Sequence, residues 1–303
     1  MPRINRVLCP IDFSDSSRHA VEQAAAIAGW YRAQLSVLHV CSPIFMPVPG
    51  LPAPAGCAPE SELEEVRNHA GEFAHTSLPV GMRVDVAVDV GQPSAVIVDR
   101  AAMLPADLIV MGTHGAGGFE HLVVGSVAEK VLRTAPCPVL TVPPRAHATS
   151  QFPFTRVLCA VDFSEWSCAA VGLAASLALE SRASLDLVHV LEWPWEEPPA
   201  PVFAELPPEQ AAVLLEYRRY MEGSAATRLE SLVADAVRDR CAVSARIAHG
   251  KPYVQVLRVA AEVGADLIVL GVHGRNPIDR ALLGSTTNQV VRRATCPVLT
   301  LRG

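Results

Sequence analysis

The chain has 303 residues, of which 50% are hydrophobic and 18% charged, and a formal net charge of −6. Such apolar content fills one large core or two ordinary ones and excludes a disordered chain. The acidic balance, without any run of Lys and Arg, excludes a dedicated nucleic-acid or anionic-membrane surface, because both work by neutralising phosphates with clustered cations.

The opening stretch, MPRINRVLCPIDFSDSS, holds only a few apolar residues before Asp12, too few for a secretion signal or a membrane span, so a cytoplasmic location is expected. Short β-branched runs then predict strands at Val7 to Asp12, Leu35 to Val40, Val84 to Val90, Leu108 to Gly112 and Val139 to Val142. Between them, stretches such as SSRHAVEQAAAIAGW and AEKVLRTA place apolar residues at helical spacing. Strand and helix in alternation mean a parallel sheet covered by helices.

After PPRAHATSQFPF, whose prolines and small polar residues suit a linker, the series begins again. RVLCPIDFSDSS is answered by RVLCAVDFSEWS, AQLSVLHV by ASLDLVHV, ADLIVMGTHG by ADLIVLGVHG and APCPVLTV by ATCPVLTL, in the same order. The expected organisation is two five-stranded open α/β domains, residues 1–145 and 154–303, joined by a linker at 146–153. In each half a proline-rich stretch follows the second strand, SPIFMPVPGLPAPAGCAP and EWPWEEPPAPVFAELPP, and reads as a surface connector or a cover. The segment AAVLLEYRRYMEGSAATRLESLVADAV reads as a helix packed on the sheet. The last strands, PVLTV and PVLTL, are apolar edges that invite pairing with each other, which would make the chain an intrachain pseudo-dimer and leaves a homodimer of tandem chains open.

The fourth strand of each half runs into one glycine spacing, G-x2-G-x9-G-S: Gly112, Gly115, Gly125 and Ser126, then Gly271, Gly274, Gly284 and Ser285. Glycine at a strand's carboxyl end lets backbone approach a ligand that a Cβ would repel, and a Ser opening a helix sets a hydroxyl beside unpaired N–H groups. Both features suit phosphate. The bland alternative is a turn followed by a Ser N-cap. It is not a P-loop, since G-x4-G-K-[ST] is absent and the Lys of Gly250-Lys251 is followed by Pro252. Asp12 and Asp162 end the first strands, where ligands of open α/β sheets bind, and each can accept hydrogen bonds from a ribose. Equally, each can make a turn ahead of Ser14 or Ser164 as helix caps.

Eight cysteines, among them Cys9 and Cys159 inside the first strands, form no C-x-x-C and read as buried thiols of a reducing compartment. His39 and His189 end their strands, while His114 and His273 sit in the glycine loops. No H-x-x-x-H, H-E-x-x-H or Cys/His cluster supports a protein-only metal site, so no metal-ligating residue is assigned.

The strand-ending Asp, the VLHV strand, the G-x2-G-x9-G-S loop and the closing CPVLTV together resemble the universal stress protein family in its tandem form, over nearly the whole chain. The resemblance implies a 3-2-1-4-5 sheet with helices on both faces, adenine nucleotide binding with ATP as the usual ligand, and a role in the stress response. It implies that Pro10, Ile11 and Asp12, with Ala160, Val161 and Asp162 in the second half, lie along the nucleoside. It places the backbone of Val40 and Val190 at the adenine edge. Gly112, Gly115, Gly125 and Ser126 would hold the phosphates, as would Gly271, Gly274, Gly284 and Ser285, with any Mg²⁺ or Mn²⁺ carried by the phosphate oxygens. The loops differ inside, AGGFEHLVV against RNPIDRALL, so unequal affinity is expected, tighter in the second half, where Pro277 removes conformations before binding and Arg275 offers a charge-assisted contact.

Sensing or switching ranks ahead of catalysis, with no catalytic residue assigned. A slow ATP hydrolase or nucleotidyl transferase is the first alternative; Glu120, His121, Asp279 and Arg280 could serve, but nothing in their spacing selects them. A nucleotide-free protein-interaction module is the second, and the glycines kept in both halves speak against it. The protein partner is unknown.

Overall fold

The structure, a computed structural model, describes residues 4–42, 60–113, 124–144, 152–192, 207–274 and 283–302. The first half runs β1 (Arg6–Ile11), α1 (Asp15–Tyr31), β2 (Gln34–Cys41), α2 (Glu60–His75), β3 (Val84–Val90), α3 (Pro93–Met103), β4 (Leu108–Gly112), α4 (Ser126–Thr134) and β5 (Val139–Val142). The second half runs β6 (Arg156–Val161), α5 (Glu165–Ser181), β7 (Ser184–Leu191), α6 (Pro208–Ser231), α7 (Asp235–Arg238), β8 (Val243–His249), α8 (Pro252–Val263), β9 (Leu267–Gly271), α9 (Ser285–Arg293) and β10 (Val298–Leu301). The strands expected from the sequence differ from these by at most a residue at either end. Asp12 lies just beyond β1. Both proline-rich stretches fall almost wholly outside the described residues.

The ten strands among the described residues form one sheet in the order β3-β2-β1-β4-β5-β10-β9-β6-β7-β8. Each half is parallel in the expected 3-2-1-4-5 order. The halves meet through β5 and β10, which pair antiparallel with Leu299 opposite Leu140, so each half covers the apolar edge of the other. Thr141 and Thr300 add buried hydroxyl bonds across the seam, to the carbonyls of Val298 at 3.1 Å and Val139 at 3.2 Å.

Alternation along the strands sends side chains to two cores. Val7, Cys9 and Ile11 of β1 join α1, α2, α5 and α6 on one face, a core continuous across the seam. Leu8 joins α3, α4, α8 and α9 on the other. α1 lies close on the sheet because Ala20, Ala24 and Ala28 repeat at one-turn spacing, each at most 1% exposed. The repeat extends to backbone detail: Arg32 and Arg182 end α1 and α5 in the left-handed region, both at φ 54°. α6 corrects one expectation. Ala225 and Leu229 bury its C-terminal half against the sheet, whereas Val213, Tyr217 and Tyr220 of its N-terminal half are exposed.

Candidate functional site

The described parts of the glycine and Asp motifs lie at the carboxyl ends of β1 and β4, neighbours with Val7 opposite Leu108, and of β6 and β9, neighbours with Val157 opposite Leu267. Asp12 and Asp162 turn the chain out of the sheet and into a helix. Ser14 and Ser164 are true N-caps, their hydroxyls each accepting the amide of Ser17 or Ser167 at 3.2 Å. Asp12 Oδ1 accepts the Ser14 amide at 3.1 Å and the hydroxyls of Ser14 and Ser17, both at 2.5 Å. In the second half Asp162 Oδ1 accepts the Ser164 amide at 2.9 Å, while the Ser167 hydroxyl donates to the Ser164 carbonyl instead. The two carboxylates therefore share a position, and the hydroxyls of Ser17 and Ser167 differ in the acceptor they choose.

The following residue is bent hard. Phe13 and Phe163 have φ of 64° and 65°, uncommon for an aromatic residue. Each ring rests 4.4 Å from the imidazole of His39 or His189. Those histidines donate from Nδ1 to the last strand carbonyl, Ile11 at 3.0 Å and Val161 at 2.6 Å. No role for this Asp-Phe-His arrangement is expected from the sequence. Its signal was present as DFS and HV repeated at matching positions.

Gly112 and Gly271 are each met by a helix. A Cβ on Gly112 would stand 2.3 Å from Ser16 Oγ and 3.0 Å from the Ser16 carbonyl carbon. One on Gly271 would stand 2.9 Å from Trp166 Cβ and 3.0 Å from the Ser167 nitrogen. These two glycines admit the first turns of α1 and α5 onto the sheet. Gly274 faces the site: a Cβ there would lie 3.0 Å from Asp162 Oδ2. Gly284 adjoins it, since its own Cβ would lie 3.7 Å from the Gly274 nitrogen. The structure thus brings Asp162, Gly274 and Gly284 together. Gly115, like His114 and the loop interiors, lies outside the described residues.

Both loops are closed at the base, by the amide of Gly125 on the Thr113 carbonyl at 2.8 Å and that of Gly284 on the Val272 carbonyl at 3.0 Å. Gly125 and Gly284, not the serines, are the N-caps of α4 and α9, and neither helix has a side-chain cap. Ser126 and Ser285 are the exposed first helical residues. Such a helix start presents amide N–H groups and the positive end of the helix dipole to an anion.

Val40 and Val190 occupy the third wall. β1 ends with Ile11 opposite His39, whereas the pairing of β2 with β3 continues through Val40 to Cys41. β6 likewise ends with Val161 opposite His189, while β7 and β8 pair on through Val190 to Leu191. The β1-side backbone edge of Val40 and the β6-side edge of Val190 therefore each run past the neighbouring strand, beyond the strand ends of their own half. Pro10, Ile11 and Val161 are buried and Ala160 half-buried, so these residues form the floor there.

The remaining candidates resolve simply. His273 is buried, its ring 5.7 Å from that of Trp166. Cys9 and Cys159 are fully buried, which pushes both thiols up, opposite to what a nucleophile needs. Seven cysteines are free thiols, Cys57 lying outside the described residues. Among the described residues no cluster of His, Cys, Asp or Glu could hold a metal ion, and no helix is long and apolar enough to cross a membrane.

The model of the universal stress protein family matches the chain twice, over residues 3–143 and 153–302. A universal stress protein of Methanocaldococcus jannaschii is 36% identical over 139 residues, 45% of this chain and 81% of its own. One from Mycolicibacterium smegmatis is 28% identical over 98% of this chain and 96% of its own. The crystal structure of a universal stress protein from Archaeoglobus fulgidus superposes with a TM-score of 0.65 at 23% identity, covering 99% of both chains.

Proposed function

Because the chain belongs to the universal stress protein family, we propose that it binds ATP in both halves and acts in the cytoplasm as a nucleotide-dependent switch of the stress response. The observation that carries this reading is the start of α9, where the glycine cap Gly284 lies beside Gly274 and Gly274 lies against the Asp162 carboxylate. A nucleotide needs those three things within its own length: uncapped helix amides for phosphate, bare backbone for close approach, and a carboxylate for the ribose hydroxyls. The adenine edge reads the backbone of Val40 or Val190, and Pro10 to Asp12 or Ala160 to Asp162 lie along the nucleoside. Gly115, Gly125 and Ser126, with Gly274, Gly284 and Ser285, hold the phosphates. Gly112 and Gly271 act one step back, by seating the helix that carries the cap. Mg²⁺ or Mn²⁺ arrives on the phosphate oxygens.

ATP held across the strand ends and the helix start favours whichever conformation binds it better, which is what a switch requires. Mass spectrometry of ligand released from gently purified protein, with titration calorimetry of the emptied chain, tests the reading. Released adenine nucleotide and two ATP per chain are expected. Folded protein that takes up no adenine nucleotide would refute it.

A further inference from the structure

On the face of the sheet shared by both halves, at the ends of the strands opposite the nucleotide site, lies a cavity of about 260 Å³. Its floor is the seam itself, Leu140 and Leu299, which stand opposite each other in the β5–β10 pair. α1 contributes Ile27 and Tyr31, and α5 contributes Leu173 and Leu177. Phe152 and Phe154, their rings 5.1 Å apart, close it where the second half begins. The Tyr31 hydroxyl donates to Glu180, bonding α1 to α5 beside the opening between them.

Protein interiors are close-packed, and a partly open apolar pocket of this size leaves the side chains that line it facing water where a packed interior would give them apolar contacts. Apolar cavities of roughly 150 Å³ already admit benzene. The space here therefore suits one or two fused rings. The charges set the class. The ionisable side chains lining the cavity are Tyr31 and Asp107; the carboxylate of Asp107 is held by the amides of Asn5 at 2.7 Å and Arg6 at 3.0 Å, and Glu180 stands behind Tyr31. Among the described residues no Lys or Arg lines it. An anion would meet carboxylates and no counter-charge.

We infer that the seam cavity is a second ligand site, taking a neutral apolar molecule of one or two rings that bridges the two halves of the chain. It is separate from the nucleotide site in place and in chemistry, and it stands whether or not ATP binds. Its occupant touches α1 and α5 together, so binding draws the halves into one unit and raises the stability of the seam.

The test uses the full chain, methyl-labelled for NMR, with indole as probe and indole-3-carboxylate as its charged counterpart. Indole is expected to shift the methyl signals of Leu140, Leu173 and Leu177 saturably, while Leu8 and Leu158, in the core on the other face of the sheet, stay unmoved. The carboxylate should bind at least about tenfold more weakly, and Leu173→Trp, which fills the cavity from its half-buried wall, should weaken indole by at least about tenfold, a difference of about 1.4 kcal/mol. Absence of saturable shifts, equal shifts on both faces, or carboxylate binding as tightly as indole would overturn the site. The wild-type titrations decide the matter even if the tryptophan variant fails to fold.

Discussion

Replacing Gly112 or Gly271 with alanine separates two explanations of a repeated glycine. If the residue is bare so that a ligand can approach, the variant keeps its stability and loses nucleotide. If it is bare so that a helix can approach, the reverse holds. At Gly112 the added carbon meets Ser16 Oγ at 2.3 Å, which a rotation of the hydroxyl relieves only in part, and the Ser16 Cβ and carbonyl carbon, both at 3.0 Å, which only a shift of α1 relieves. At Gly271 all three close atoms belong to backbone or Cβ, at 2.9 and 3.0 Å, so the helix itself must move. Carbon atoms sit comfortably at about 3.5–4.0 Å, and overpacking of this kind costs about 1–3 kcal/mol. Gly271→Ala should fall at or above the top of that range and Gly112→Ala below it. At about 2–4 °C per kcal/mol for domains of this size, melting followed by circular dichroism should drop by about 2–12 °C. Ser16→Ala, made in the Gly112→Ala background, should restore part of the loss by removing the 2.3 Å contact. Either glycine variant melting within about 1 °C of the parent while ATP binding disappears would refute packing as the reason for the glycine.

Gly125→Glu and Gly284→Glu should each remove one ATP site, and calorimetry on the pair should find the surviving second site tighter than the surviving first; equal affinities or the opposite order refute that ranking. Gln23 is fully buried, with both amide atoms lacking a hydrogen-bond partner among the described residues, where the second half has Leu173. Gln23→Leu should therefore stabilise the chain by about 1–3 kcal/mol in a denaturant titration, and any loss of stability would show that the amide is satisfied in solution. The Arg218 guanidinium, donating to Glu222 at 2.7 Å, holds that carboxyl below its ordinary value against the opposing effect of burial, and His249 adds to it. A carboxyl depressed on folding stabilises above its unfolded value and loses that contribution as pH falls through the folded one. Glu222→Gln should thus cost less than about 1 kcal/mol at pH 7, the side chain being a third exposed. The gap between the variant's and the parent's melting curves should close as pH falls below 4.5; a gap that persists at low pH would exclude the ion pair as its source.

The order of strands and helices in each half, the tandem repeat and the pairing of the last strands were legible in the chain, because they rest on local signals. A strand buried on both faces must be continuously apolar, a covering helix must repeat every three to four residues, and a duplicated sequence must do so twice. PVLTV and PVLTL could be expected to pair because an apolar edge has few other stable fates. The identity of the helix caps divided along the same line. Ser14 and Ser164 announce themselves, whereas the position of Gly125 and Gly284 as caps, with serine one place inside the helix, depends on where the loop returns to the carbonyl of Thr113 or Val272. The sequence spells Gly271 and Gly274 alike, and nothing in the spacing tells a glycine facing the Asp162 carboxylate from one facing Trp166 and Ser167. That distinction belongs to the tertiary structure, since it is set by which backbone arrives from more than ninety residues away. The same is true of the ring of Phe13 laid on His39 and of the cavity at the seam. Each is a meeting of segments whose separation in the chain carries no local pattern, and only packing decides which atoms end in contact and which space is left unfilled.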